Sequence, residues 1–283
     1  VVRSGDYQEF ATEYMKRLES IGIGISSFTT EYGFGMYEFA LTPKSPLEAA
    51  DDAVRAKLHL KELCAERDLV ATFMVRFQPP GKESACGAHQ HVSLWKDGKP
   101  IVSDGPNRLS TIAKSFLAGM LKRLPETHLY FRPTVNSYRR FDKSAWSPVD
   151  CTWGFENRTA AVRAITTPTP SASRYEHRVS GADINPYLTL SAILAAGYDG
   201  IQNELSLEPA LELDHGNTNR TPLTNTLNAS IHAFENSDFC REMFGADFHS
   251  HYIASRKAEQ KAFEQWQEMH ISDFEWQRYF NGT

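Results

Sequence analysis

Arg174-Tyr175-Glu176-His177-Arg178 follows a run rich in Pro, Thr and Ser and reads as a short strand. Alternate residues of a strand share a face, so Arg174, Glu176 and Arg178 point the same way, two cations flanking one carboxylate. Such a face lines an apolar core poorly. It suits the joint binding of a metal ion and several anionic oxygens. Just upstream, Arg158 and Arg163 stand in Trp153-Gly154-Phe155-Glu156-Asn157-Arg158-Thr159-Ala160-Ala161-Val162-Arg163. Small and β-branched residues separate these arginines, which is not the pattern of a solvated face. The cluster predicts a phosphate or carboxylate site. The plainer alternative is an exposed edge strand with ion pairs.

Two other stretches carry candidate ligands. Gly87-Ala88-His89-Gln90-His91-Val92-Ser93-Leu94-Trp95 predicts a strand with His89, His91 and Ser93 on one face, closed by a hairpin at Lys96-Asp97-Gly98-Lys99. Two imidazoles at this spacing are compatible with metal ligation and also with ordinary surface histidines. In Thr30-Glu31-Tyr32-Gly33-Phe34-Gly35-Met36-Tyr37-Glu38-Phe39, two carboxylates flank a loop tightened by glycines. Both could reach one cation; otherwise this is a hairpin whose glutamates face water.

The remaining periodicities are structural. Tyr7, Phe10, Tyr14 and Leu18 predict a helix over 6–20. Ser45-Pro46-Leu47-Glu48 is a capping box, and Leu47, Ala50, Val54 and Leu58 predict the buried stripe of a helix to about Arg67. Val70 to Phe77 reads as a strand, and Leu109, Ile112, Phe116 and Met120 as a core helix. Tyr130 to Arg140 reads as extended. Asn185-Pro186 caps a buried helix to about Glu204. From about residue 205 the chain turns polar and helical, without a titratable cluster. Its last aromatics, Phe274, Trp276, Tyr279 and Phe280, are expected to dock on the body.

Composition bounds the function. The chain has 283 residues, enough for a sizeable core, and a net charge of -5, against the basic balance of a nucleic-acid binder. No apolar run approaches the ~20 residues of a membrane span. The opening Val1-Val2-Arg3-Ser4-Gly5-Asp6-Tyr7 lacks the pattern of a signal peptide. Cys64, Cys86, Cys151 and Cys240 are scattered with no CxxC pair, which predicts reduced thiols and a cytoplasmic protein.

Together these segments resemble the catalytic domain of the glutamine synthetase family, over nearly the whole chain. The resemblance rests on motifs in family order. They are Glu31 and Glu38 about a Gly loop, and Gly87-x-His89-x-His91-x-Ser93-Leu94. Asn136-Ser137-Tyr138-Arg139-Arg140 and Asn157-Arg158 with Arg163 follow. Last come Arg174-x-Glu176-x-Arg178 and Asn185-Pro186-Tyr187-Leu188. The resemblance implies an ATP-dependent ligase that phosphorylates the γ-carboxylate of glutamate and lets an amine attack the acyl phosphate. It implies Mg²⁺ or Mn²⁺, with Glu31 and Glu38 holding the metal near the acid, and His89 and Glu176 the metal near ATP. Arg158, Arg163 and Arg174 would meet phosphates, Arg140 and Arg178 the substrate carboxylates, and Ser93 and His91 the nucleotide side. Arg158, Arg163 and Arg178 would serve the chemical step. It implies a homo-oligomer of stacked rings, a dodecamer in the family.

Departures from the pattern sharpen the expectation. Where the family's ammonium-binding Glu stands, this sequence has Trp146, whose indole accepts no proton but whose face can hold an organic ammonium. An amine larger than ammonia is therefore expected, as in the γ-glutamyl–amine ligases that act on polyamines and alkylamines. Ordinary use of ammonia and a non-catalytic structural or regulatory role are the alternatives. Ser84-Ala85 replaces the Asn-Gly that handles the glutamate backbone, and Met36 a usual Gln, so the acid is glutamate or glutamate-like. The family's N-terminal β-grasp domain has no counterpart in this sequence. The expected fold is α+β: one catalytic domain over 1–283, with a curved, mostly antiparallel sheet and helices packed on its outer face.

Overall fold

In the computed structural model, the described residues are 8–33, 35–78, 85–140, 147–211, 220–280 and 282. The mixed helix and sheet content is that of an α+β fold. Helix α1 (Gln8–Ser20) packs on α2 (Pro46–Ala65), and Tyr14 Oη donates to the Ala56 carbonyl at 2.8 Å. Strands β1 (Ile25–Thr30) and β2 (Tyr37–Leu41) form an antiparallel hairpin, in register from Thr30↔Tyr37. These elements bury a small cluster of Tyr14, Leu18, Ile23, Ala56 and Leu63.

Helix α2 is where predicted but turned. Of the predicted stripe Ala50 is buried, but Leu47, Val54 and Leu58 are exposed at 67%, 40% and 54%, while Ala56 and Leu63 are buried. At 100° per residue the two sets lie on opposite sides of the helix. The side that meets α1 and the hairpin is buried, and the one with more apolar volume is left outward. The capping box is also incomplete: Ser45 Oγ donates to Glu48 Oε2 at 2.5 Å instead of accepting from the helix backbone.

The main core is built on α3 (Thr111–Phe131) and α4 (Pro186–Gln202), with α5 (Leu227–Glu235) packed across α3. Phe116, Leu117, Leu124, Leu129, Phe131, Ile193 and Ala196 fill it, together with Val162, Tyr175 and Val179 from the sheet side. Asn185 caps α4 as expected, its Oδ1 accepting from the Tyr187 N–H at 3.0 Å. The reading of 130–140 as extended is corrected. Helix α3 runs through Phe131, and Asn136–Arg140 is a 3₁₀ turn. Pro133 disfavours helical backbone at the residue before it, and Arg132 takes φ -140° and ends the helix there.

The central sheet has the order β3-β10-β9-β8, formed by Gln90–Val92, Arg174–His177, Val162–Ile165 and Trp153–Phe155. The β3–β10 and β10–β9 pairs are antiparallel; β8 runs parallel to β9. The Asp97-Gly98 hairpin forms between β4 (Trp95–Lys96) and β5 (Lys99–Pro100), and β6 (Ser103–Gly105) pairs with β7 (Arg108–Leu109). Residues 70–77 form no strand. They find no sheet partner among the described residues, and Val70 is 92% exposed.

The chain continues through α6 (Asp238–Phe244), α7 (Ala246–Glu268) and α8 (Asp273–Tyr279). The terminal aromatics do not dock on the body. Phe274, Trp276, Tyr279 and Phe280 are 49–67% exposed and meet one another, as in the Trp276–Phe280 pair at 4.6 Å. Among the described residues no helix is long and apolar enough to cross a membrane.

Candidate active site

Glu176 sits in the middle of β10, the strand flanked on both sides. Across one pair its register partner is His91 of β3; across the other it is Arg163 of β9. Directly paired residues share a face. Alternation adds Arg174 and Arg178 and turns Tyr175 and His177 to the core. There Tyr175 Oη donates to the Ala113 carbonyl at 2.7 Å, and His177 lies over Phe131 with ring centroids 4.3 Å apart. One strand thus carries a polar site on one side and core on the other.

The Glu176 carboxylate is buried, and both its oxygens are taken. Oε1 accepts from His89 Nδ1 at 2.9 Å and from Arg178 Nη1 at 2.5 Å; Oε2 accepts from Arg163 Nη1 at 3.2 Å. Burial alone would raise its pKa. The His89 hydrogen bond and the Arg178 charge outweigh that and hold it well below the usual carboxylate range. His89 is pushed down to about 4, by burial first, so its ring is neutral at neutral pH. A proton on Nδ1 satisfies Glu176 and leaves Nε2 facing Arg140 Nη2 at 3.4 Å. His91 is lowered too, by burial first, and its Nδ1 accepts from Arg174 Nε at 3.0 Å.

Arg140 is buried behind this layer. Its Nη1 donates to the carbonyls of Arg178, Val179 and Ser180 at 2.9, 3.2 and 2.9 Å. Burial lowers its pKa to about 10, which still leaves it charged. Gly87 makes room for it: a Cβ there would lie 2.7 Å from Arg140 Nη2 and 3.3 Å from His89 Nε2. The 3₁₀ turn that carries Arg140 is tied down by residues absent from the sequence reading as site members. Asp183 Oδ2 accepts from Thr134 Oγ1 at 2.8 Å and from Ser137 Oγ at 2.6 Å.

The β1–β2 hairpin carries the acidic pair, and both Glu31 and Glu38 are exposed. Glu31 N–H donates to the Met36 carbonyl at 3.0 Å, and Gly35 takes φ +66° to close the turn. Glu38 has a raised pKa, first from partial desolvation, then from Glu31 and Glu176; Arg178 and Arg158 oppose the shift. Side chains from the hairpin, from β10 and from the turn after β8 therefore act on one another. Arg158 itself is exposed, on a turn shaped by buried Asn157, whose Oδ1 accepts from Thr159 N–H at 2.9 Å.

The structure thus joins His89, His91, Arg140, Arg163, Arg174, Glu176 and Arg178 by contact, and adds Glu31, Glu38 and Arg158 by charge. Ser93 lies just beyond β3 and accepts from Trp95 Nε1 at 2.9 Å. Ala85 is half-buried, next to Cys86, whose N–H donates to Val75 O. Ser84 and Trp146 lie outside the described residues. One further member is Glu156, whose Oε2 accepts from Arg163 Nε at 2.9 Å. It stood inside the quoted arginine stretch, but neither spacing nor alternation distinguished it.

Among the described residues no three His, Cys, Asp or Glu side chains are arranged as a closed metal-binding group. Arginines hold the second positions on Glu176 instead. The donor chemistry nonetheless fits a hard divalent ion: carboxylates plus a neutral imidazole. Glu31 and Glu176 both repel the Glu38 carboxylate, a charge excess that such an ion would relieve.

Residues 2–279 match the family described as "Glutamine synthetase, catalytic domain". Type-1 glutamine synthetase 2 of Dictyostelium discoideum is 34% identical over 275 residues, 93% of this chain and 51% of that protein. The glutamate–isopropylamine ligase of Pseudomonas sp is 36% identical over 250 residues, 85% of this chain and 53% of the relative. Gamma-glutamylputrescine synthetase PuuA of Escherichia coli K12 is 34% identical over 219 residues, 77% and 46%. The chain spans about half the length of these relatives. Matched over nearly its whole length by the catalytic-domain family and by relatives at 34–36% identity, the chain belongs to the glutamine synthetase family.

Proposed function

We propose that the protein works as an ATP-dependent ligase, joining the γ-carboxylate of glutamate or a glutamate-like acid to an amine through an acyl phosphate. The observation that carries this reading is Glu176, a buried carboxylate shared by an imidazole and two guanidinium groups on one face of the central sheet. Phosphoryl transfer depends on positioning and charge neutralisation more than on a protein nucleophile. Mg²⁺ or Mn²⁺, when bound by Glu31 and Glu38 and by His89 and Glu176, would supply part of that neutralisation. Arg163 and Arg174 hold phosphate oxygens, and Arg158 meets the charge that develops on transfer. Arg178 and Arg140 orient the acid, with Ser84-Ala85 at its backbone. Ser93 and His91 lie toward the nucleotide. The free thiols of Cys64, Cys86, Cys151 and Cys240 support a cytoplasmic setting, and the family supports ring assembly.

Trp146 supports an amine larger than ammonia, because an indole offers a cation–π face but no proton acceptor. Relatives named as ligases of isopropylamine and putrescine stand at the same identity as those named glutamine synthetase. The test is ADP release from ATP, Mn²⁺ and glutamate across a panel of ammonia, alkylamines, ethanolamine and diamines. Alkylamines or diamines are expected to exceed ammonia in kcat/KM by at least about tenfold, or 1.4 kcal/mol. Ammonia as the best acceptor would refute the argument from Trp146. If no acceptor supports ADP release and ATP with Mn²⁺ causes no thermal shift, the non-catalytic reading replaces this one.

A further inference from the structure

We propose that Glu156 is a positioning residue for Arg163, holding the guanidinium so that its free N–H groups face the phosphate site. The inference rests on the reading of Arg163 as a phosphate ligand.

Glu156 closes β8 with φ +51°, the left-handed region that side-chain-bearing residues seldom adopt. Its own N–H is anchored to the Ala164 carbonyl at 3.1 Å, so β9 holds the backbone in that conformation. The result is a half-exposed carboxylate beside Arg163. Glu156 Oε2 accepts from both Arg163 Nε, at 2.9 Å, and Arg163 Nη2. On the other side of the same guanidinium, Nη1 donates to Glu176 Oε2 at 3.2 Å. Strain at a non-glycine residue persists where the surroundings over-determine it, and its side chain is then the feature to question.

A guanidinium has five N–H groups in a rigid plane. Glu156 takes one on Nε and one on Nη2; Glu176 takes one on Nη1. One N–H on each Nη remains free to donate to phosphate oxygens. Without Glu156, Arg163 would keep a single anchor and its plane could turn about the Nη1 contact. A glycine at 156 would accept the backbone geometry without strain, but would leave the Nε edge of Arg163 unheld.

The test compares Glu156→Gly and Glu156→Gln with Arg163→Ala in the full chain. It uses ATP-dependent ADP release, titration of ATP binding and thermal melting. Glu156→Gly is expected to melt no lower than wild type, yet lose about tenfold in kcat, with the KM for glutamate unchanged. Glu156→Gln should fall between the two in rate. Combined with Arg163→Ala, neither substitution should reduce the rate further, since both act through that arginine. Unchanged kcat in both Glu156 variants, with Arg163→Ala impaired, overturns this inference alone. Additive losses in the double variants do the same. A wild-type chain that neither binds nor consumes ATP overturns the reading of the site, and this inference with it.

Discussion

Removing the Glu176 carboxylate should destabilise the protein before any substrate is considered. Arg178, with a side chain 7% exposed, has its 2.5 Å partner in Glu176, and Arg163, 18% exposed, would keep only Glu156. Breaking a buried ion pair by deleting one partner leaves an uncompensated charge and costs about 3–5 kcal/mol. At about 2–4 °C per kcal/mol for a chain of this size, Glu176→Ala should lower Tm by roughly 6–20 °C. Glu176→Gln should cost less, roughly 2–3 kcal/mol, because one oxygen survives while the amide N–H groups face guanidinium donors. The assay is urea unfolding and thermal melting in EDTA, so that no ion contributes. A second variant separates charge from packing. Replacing Glu176 and Arg178 together by Met removes both charges and should recover much of the loss. Mn²⁺ titration of Glu176→Gln should then show weakened binding. The reasoning fails if Glu176→Ala unfolds within about 1 kcal/mol of wild type, or if the double variant is no better than the single one.

Other substitutions probe separate parts of the site. Arg158 is exposed on its turn, so Arg158→Ala should leave Tm within a few degrees while kcat falls by about 10²–10³, the range for losing one stabilising donor; an unaltered steady-state rate would remove it from the chemistry. Gly87→Ala places a methyl 2.7 Å from an Arg140 group held by backbone carbonyls, so overpacking should cost about 1–3 kcal/mol. Wild-type stability of that variant in urea would show that the Arg140 pocket can yield. Acid should also weaken the fold through its buried histidines. His177 is pushed down to about 3 by burial, and His128 lies well below its usual value for the same reason. Each binds a proton in the unfolded chain near pH 6.5 but not in the folded one, so stability falls as pH drops below 6.5. The loss is about 1.4 kcal/mol per pH unit per group. Urea midpoints at pH 6.5, 5.5 and 4.5 should show this slope, and His177→Gln should reduce it by about one proton; an identical slope would contradict the assignment.

Most of the polar site was legible because strand alternation is a local rule. Two cations about Glu176 must share a face if Arg174–His177 is a strand, and His89 with His91 obey the same arithmetic across β3. Helices with strong caps or long periodic runs were legible for a similar reason, as with Asn185 at the head of α4. Faces were less so. Helix α2 carries two apolar sides, and periodicity ranks Leu47, Val54 and Leu58 above Ala56 and Leu63, although the smaller side meets α1. An apolar run such as 70–77 states a preference for extension but cannot state whether a neighbouring strand exists to pair with it. The large rings of the aromatic end favour burial, which points to a docking segment. Its rings instead contact one another and stay exposed.

What the order of residues determined alone is the chemistry on offer. Glutamates, imidazoles and guanidiniums are spaced so that each strand presents one polar face, because a peptide's side-chain direction repeats every two residues whatever it packs against. Only the tertiary structure decided which of those groups meet. Register between β3, β10 and β9 sets His91 and Arg163 on either side of Glu176, and the return of the chain after α3 puts Arg140 behind His89. The same packing holds Glu156 in a backbone conformation that its side chain disfavours, and so aims it at Arg163. Such contacts join residues tens of positions apart. They depend on how buried faces fit together, which a one-dimensional pattern does not encode residue by residue.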